Sequence, residues 1–243
     1  MTEIKGFGYA GKEAFLQKLN AINYAIFDMD GTIIRPGLLV FDVMVSLFQE
    51  KNDDYKLREL KMIYESYKVT PFDESYRRFL GLLKDENKKS LQEIVENRLN
   101  AKLYPYAKLT IKKLRDKYGI KSYLISLTTD FVADFVKVYF GFEGTYNVRC
   151  ISNTVGDKEL FNGEVAGKLS SAAEMKTVMF KDLEKKMADK PFLCFFDSGD
   201  DIPIARNAEL KVGINQSEKL KNEIKTDLSL SGKDPWEEFY NIL

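Results

Sequence analysis

The sequence predicts an α/β protein built on a parallel sheet, with an all-helical segment inserted after the first strand. Three observations predict it. Short apolar runs alternate with helical patterns, a rhythm that places helices on both faces of a parallel sheet. The first apolar run ends in two acids, within INYAIFDMDGT at 22–32. The alternation then breaks over 36–103, where only helical patterns occur.

The elements follow in order. GFGYAG at 6–11 matches GxGxxG, but only five residues precede it. A dinucleotide fingerprint needs a strand there, so the run reads as a loop leading into a short helix at 12–20. The first strand is 22–27. Four helices then fit at about 38–50, 53–68, 72–84 and 90–102. Thr70-Pro71 separates the second from the third, and Ser90 with Glu93 forms a capping-box pattern for the last. This segment holds 12 basic and 12 acidic residues, so it is not a basic arm. Tyr104-Pro105 opens a helix at 107–118. Strands follow at 121–127 (KSYLISL), 147–151 (NVRCI), 192–197 (FLCFFD) and 210–214 (LKVGI). Helices fit at 130–140, 171–187 and 216–225. The expected division is a core of 1–35 and 104–243 and an inserted helical unit of 36–103. That unit either covers a site as a cap or packs without touching substrate. Ligands of such sheets bind beyond the carboxyl ends of the strands. Asp28, Ser126 and Asp197 all sit at or near such ends.

Composition narrows the chemistry. The 243 residues are 44% hydrophobic and 30% charged, an ordinary globular balance. Lys plus Arg equals Asp plus Glu at 37 each, so net charge argues for neither nucleic acid nor an anionic membrane. No apolar run approaches the ~18 residues of a membrane span, and the first residues lack the apolar region of a signal peptide. The two cysteines, Cys150 and Cys194, read as reduced core residues of a cytoplasmic protein. With two Cys and no His, a zinc site is implausible. Lack of histidine also removes Ser-His-Asp and Cys-His nucleophile systems, leaving proton transfer to carboxylates, Lys, Tyr or Cys.

Asp28 and Asp30 are costly to bury without a partner, and a divalent cation offsets that cost. Alone, the stretch also suits a strand followed by a solvated acidic turn. DxDGT resembles motif I of the haloacid dehalogenase superfamily, most of whose members are aspartate-nucleophile phosphatases. Asp197-Ser198-Gly199-Asp200-Asp201 resembles motif IV, GDSxxD, with Phe196 in the glycine place; alone, it also suits a helix N-cap. Ser126 resembles motif II. The phosphoserine phosphatase branch often has two glycines after it, where this chain has Leu127 and Thr128. Lys176, 21 residues before Asp197, resembles motif III, with Lys168 as its rival. The four motifs occur in the superfamily's order.

The resemblance implies a Rossmann-like core, a helical C1 cap and a closest likeness to phosphoserine phosphatase-like members. It implies Mg²⁺ as cofactor, with Asp28, Asp30 and Asp197 as ligands. Asp28 is then the nucleophile, Asp30 the acid and base, and Lys176 the neutralising cation. Thr32, Asp200 and Asp201 support the metal site from outside it. Ser126 and the Leu127 backbone bind phosphate oxygens. The phosphoserine enzymes carry a substrate-reading Glu nine residues after the nucleophile. That place is Gly37 here, and the nearby Arg35 suggests a substrate anion instead. The expected activity is hydrolysis of a small phosphorylated metabolite. A phosphotransferase or phosphomutase, or a phosphate-binding regulator without turnover, are the alternatives; oligomeric state stays open.

Overall fold

The computed structural model describes residues 11–66 and 69–243. Gly6 and Gly8 of the GxGxxG run lie outside the described residues, as do the last two residues of the helix expected at 53–68. Helix α1 (Gly11–Leu19) leads into strand β1 (Tyr24–Phe27). Helices α2 (Leu39–Glu50), α3 (Asp54–Ser66), α4 (Phe72–Gly81) and α5 (Lys88–Lys102) form the insertion. Helix α6 (Pro105–Tyr118), with Pro at its first turn and left-handed Gly119 at its end, returns the chain to β2 (Lys121–Thr129). Helix α7 (Asp130–Phe140), β3 (Gly144–Val148), β4 (Cys150–Val155) and β5 (Lys158–Val165) follow. Then come α8 (Ala172–Met187), β6 (Phe192–Phe196), α9 (Ile202–Ala205), β7 (Leu210–Ile214), α10 (Glu218–Glu223), β8 (Leu228–Leu230) and α11 (Pro235–Ile242).

Six strands make one sheet in the order β3-β2-β1-β6-β7-β8, every neighbour parallel. This is the winding of a Rossmann-like core. Both faces are covered, which is why β1 and β6 are continuous apolar runs. Alternate side chains supply the two layers. Phe27 and Phe195 face Trp236 and Phe239 of α11. Ile26, Cys194 and Phe196 pack with Phe180 and Leu183 of α8. The winding reverses between β1 and β6, so a crevice opens where Asp28 and Asp197 emerge. No helix among the described residues is long and apolar enough to cross a membrane.

Two expectations are corrected and one unassigned stretch is filled. The strand read at 147–151 is two elements. Val148 ends β3 in the sheet, and Cys150 begins an antiparallel hairpin, β4–β5. Its turn contains Gly156 at φ +64. Helix α5 starts at Lys88, capped by the side chain of Asn87 on the Lys89 N–H, so Ser90 lies inside it. The chain after 225 adds β8 and α11, which the sequence pattern leaves unassigned.

The hairpin reaches the insertion. Asp85 N–H donates to the Phe161 carbonyl at 2.8 Å, and Phe161 N–H donates to Glu86 at 3.0 Å. The Phe161 ring meets Phe131 of α7. At the other end, the chain enters and leaves the insertion side by side. Arg35 N–H donates to the Lys102 carbonyl at 2.8 Å, and Ile34 bridges Leu103.

Candidate active site

Asp28 follows β1 directly, with its N–H on the Phe195 carbonyl of β6. Its side chain is 8% exposed. The next residues form a tight turn in which Thr32, Ile33 and Ile34 N–H groups all point at the Met29 carbonyl. Gly31 sits at φ +91, and a Cβ there would overlap the Asp197 carboxylate. Only glycine satisfies both the backbone conformation and that approach. Thr32 Oγ1 donates to Asp197 Oδ1 at 3.1 Å and lies 3.5 Å from Asp28 Oδ2. From across the core, Trp236 Nε1 donates to the Thr32 carbonyl at 2.8 Å. The fully buried indole thereby fixes the acidic turn from below, a role nothing in the motif pattern signals.

Lys176, on α8, is 4% exposed. The helix starts with a capping box between Ser171 and Glu174, which sets Lys176 one turn inside. Its Nζ donates to Asp28 Oδ1 at 2.7 Å and to Asp201 Oδ1 at 2.6 Å. The rival, Lys168, is exposed. Ser198 Oγ donates to Asp201 Oδ2 at 2.9 Å. Burial would push the Lys176 ammonium down, but the charges of Asp201 and Asp28 outweigh it and hold it above the ordinary lysine range. Burial pushes the carboxyls of Asp197 and Asp201 up, and the charge of Asp28 adds to both. One ammonium thus faces more buried acids than it can neutralise.

Oxygens of Asp28, Asp197 and Asp201 lie within 4.8 Å of one another. This all-oxygen set suits a hard divalent cation. The surplus negative charge is the observation that fits one to the site. The third carboxylate of the group is Asp201, where the sequence reading has Asp30. The Asp30 carboxylate instead accepts the Leu39 N–H at 2.8 Å, at the start of α2. Burial, reinforced by the Asp28 charge, pushes Asp30 up to about 7.

A cavity of about 210 Å³ lies over these groups and includes Asp28, Asp30, Ser126, Leu127, Lys176 and exposed Asp200 in its lining. Ser126 Oγ accepts the Thr128 N–H at 3.2 Å, which leaves its own hydrogen for a ligand. The Leu127 carbonyl accepts the hydroxyl of Tyr76 from α4 at 2.5 Å. Arg35 is placed otherwise than expected. It is exposed, donates to the Ala101 carbonyl at 3.3 Å, and does not line the cavity. A larger hollow of about 570 Å³ lies beside β3, but it contains none of the acids at the β1 and β6 ends.

The model of the haloacid dehalogenase-like hydrolases matches residues 22–209. Comparison with curated sequences finds no match. Among solved structures, a phospho-aspartyl intermediate analogue of phosphoserine phosphatase superposes with a TM-score of 0.66 at 20% identity, covering 91% of this chain and 99% of that one. A protein of unknown function from Bordetella pertussis Tohama I gives 0.69 at 17% identity, covering 84% and 94%. A probable phosphoserine phosphatase from Vibrio cholerae gives 0.67 at 17% identity, covering 97% and 73%. At these identities the structural likeness establishes the fold.

Proposed function

The chain belongs to the haloacid dehalogenase-like hydrolases, and from that premise we propose that it is a Mg²⁺-dependent phosphomonoesterase working through an aspartyl-phosphate on Asp28. The observation that carries the reading is Lys176 clasping Asp28 and Asp201 beneath a small cavity that also holds Ser126. Asp28 and Asp197 would hold the cation. Asp201, with both oxygens engaged by Lys176 and Ser198, closes the group. The cation, when bound, cancels the repulsion between a dianionic phosphate and the Asp28 carboxylate.

Asp28 attacks phosphorus, and the ester P–O bond breaks. Asp30, raised to about 7, is protonated in a sizeable fraction of molecules near neutral pH and gives that proton to the departing alkoxide. The resulting Asp30 carboxylate takes a proton from water, which attacks the aspartyl-phosphate and releases inorganic phosphate. Lys176 offsets charge on Asp28, and the Ser126 hydroxyl donates to a phosphate oxygen. The neighbour described as a phospho-aspartyl intermediate analogue supports a covalent route of this kind.

Residues 36–103 act in this reading as a cap over a small substrate. Two free cysteines support a reducing, cytoplasmic setting. The test is phosphate release from an aryl phosphate by metal-stripped and Mg²⁺-restored protein. Activity should disappear with EDTA and return with Mg²⁺, and a beryllofluoride mimic should attach at Asp28. Full activity without metal would refute the proposal.

A further inference from the structure

We infer that the alcohol half of the substrate is small, uncharged and apolar: the site is built for the phosphomonoester of a short neutral alcohol, not for a zwitterion or a dicarboxylate. This rests on the phosphatase reading and adds the substrate class to it. The cavity has two chemically different walls. The core wall is polar. The insertion contributes Leu38, Val40 and Tyr76, and Leu127 continues that apolar surface. The Tyr76 hydroxyl gives its proton to the Leu127 carbonyl, so what it presents to a ligand is ring rather than donor.

The insertion is rich in charge, yet six cations in it or at its edge are engaged with partners that do not line the cavity. Arg35 caps the Ala101 carbonyl. Lys102 pairs with Asp42 and the Gly37 carbonyl at 2.7 Å each. Arg98 donates to Ser46, and Arg78 lies against Glu59. Lys51 and Lys56 both close on buried Glu86. Among the described residues, no charged side chain of 36–103 lines the cavity. Gly37 is no stand-in for a substrate-reading acid. It sits at φ +102, and a Cβ there would meet Lys102 Nζ at 3.0 Å.

At the Leu38, Val40, Tyr76 and Leu127 wall, an ammonium or a second carboxylate on the substrate would therefore lose its water against carbon. The apolar direction also continues past the cavity. A small gap shares Leu38 and Tyr76 with it and adds Ile63 and Phe79. A volume of about 210 Å³ equals roughly seven waters at ~30 Å³ each, room for a phosphoryl group and a short tail.

The experiment compares kcat/KM of the Mg²⁺-loaded full chain for butyl phosphate, O-phosphoserine, phosphoethanolamine and phosphoglycolate. All four have alkyl leaving groups. Butyl phosphate should lead by about 30-fold or more, within the range a complementary pocket discriminates. Leu38→Lys should lower turnover of butyl phosphate and raise that of phosphoglycolate, while Tyr76→Phe should keep the wild-type ranking. In parallel, calorimetry compares butylphosphonate with 2-amino-4-phosphonobutanoate, which need no turnover. If no ester is hydrolysed but butylphosphonate binds more tightly, the phosphatase reading fails and the apolar-tail inference stands. If phosphoserine or phosphoglycolate matches or beats butyl phosphate, the inference is overturned and hydrolysis stands. If neither phosphonate binds and no ester turns over, both fall.

Discussion

The core wall of the cavity and the insertion wall are made by opposite means. Asp28, Lys176 and the Asp197–Asp201 segment come from three separate places in the chain, yet they converge to hydrogen-bond and ion-pair distances. The insertion, with 12 acids and 12 bases, offers the same cavity leucine, valine and a tyrosine ring. Chemistry that must act on any phosphate is fixed by short polar contacts among buried groups. On the inference drawn above, selection among alcohols is left to shape and apolar surface, which can vary without disturbing those contacts.

The sharpest way to break this contrast is at its polar side. Asp28→Asn should lower kcat by roughly 10⁴-fold or more, since it removes the proposed nucleophile. Steady-state phosphate release checks it, and an active variant would move the covalent role elsewhere. Asp30→Asn should cost about 10²–10⁴-fold, the range of general acid–base catalysis, and it should leave metal binding largely intact by calorimetry.

Lys176→Met should act on folding as well as rate. It leaves Asp28 and Asp201 facing each other without their cation. Breaking a buried pair in this way costs about 3–5 kcal/mol, to be read from urea melts of metal-free protein. A loss below about 1 kcal/mol would mean the ammonium is not what holds the acids together.

Stability should depend on pH in a direction set by the same acids. Asp30 is raised from 3.8 to about 7, and Asp197 and Asp201 are raised as well. Between the unfolded and folded pKa values, the folded chain holds protons that the unfolded chain has released. Stability therefore falls as pH rises through that window and levels off above it. EDTA-treated protein should melt lower at pH 8 than at pH 5. Mg²⁺ should raise the melting temperature more at pH 8, where it meets ionised carboxylates. A melting temperature that rises with pH, without metal, would contradict this arrangement.

Two smaller effects test the edges of the comparison. Trp236→Phe keeps most of the ring packing but removes the hydrogen bond to the Thr32 carbonyl, for about 1–3 kcal/mol. It should lower kcat more than it raises KM. Arg35→Ala should change stability by less than about 0.5 kcal/mol and alter turnover of charged and neutral substrates alike by little. A selective loss on an anionic substrate would restore Arg35 as a specificity residue.

Much of this architecture was legible in local patterns. LKVGI at 210–214 and FLCFF at 192–196 are strands for the reason their composition suggests, burial on both faces. DxDGT is informative because it is contiguous: turn, acids and glycine belong to one short segment. What sequence concealed was direction and distance. Arg35 lies close in sequence to Asp30, but the chain turns at Gly37 and the guanidinium leaves toward Ala101. Asp201 joins Asp28 and Asp197 because a turn of 3₁₀ helix at Gly199–Asp201 swings it toward α8. Trp236 is 204 residues from the carbonyl it supports, so no spacing rule reaches it. The β4–β5 hairpin did leave a signal, Gly156-Asp157 between two strand-like runs, hidden by reading 147–151 as one element.

The paired crossing at Ile34 and Leu103 has a consequence for inheritance. Because the chain leaves the core and re-enters it at one point, the segment between is a cassette. Its length and its cavity-facing residues can be exchanged while Asp28 and Lys176 keep their places. The β4–β5 hairpin, bonded to the cassette through Phe161, is a part of the core that would be exchanged along with it, while the Tyr76 hydroxyl ties the cassette to Leu127 of β2. On the proposed function, a lineage built this way would change which alcohol it releases by trading this cassette and its partners, leaving the phosphate chemistry untouched.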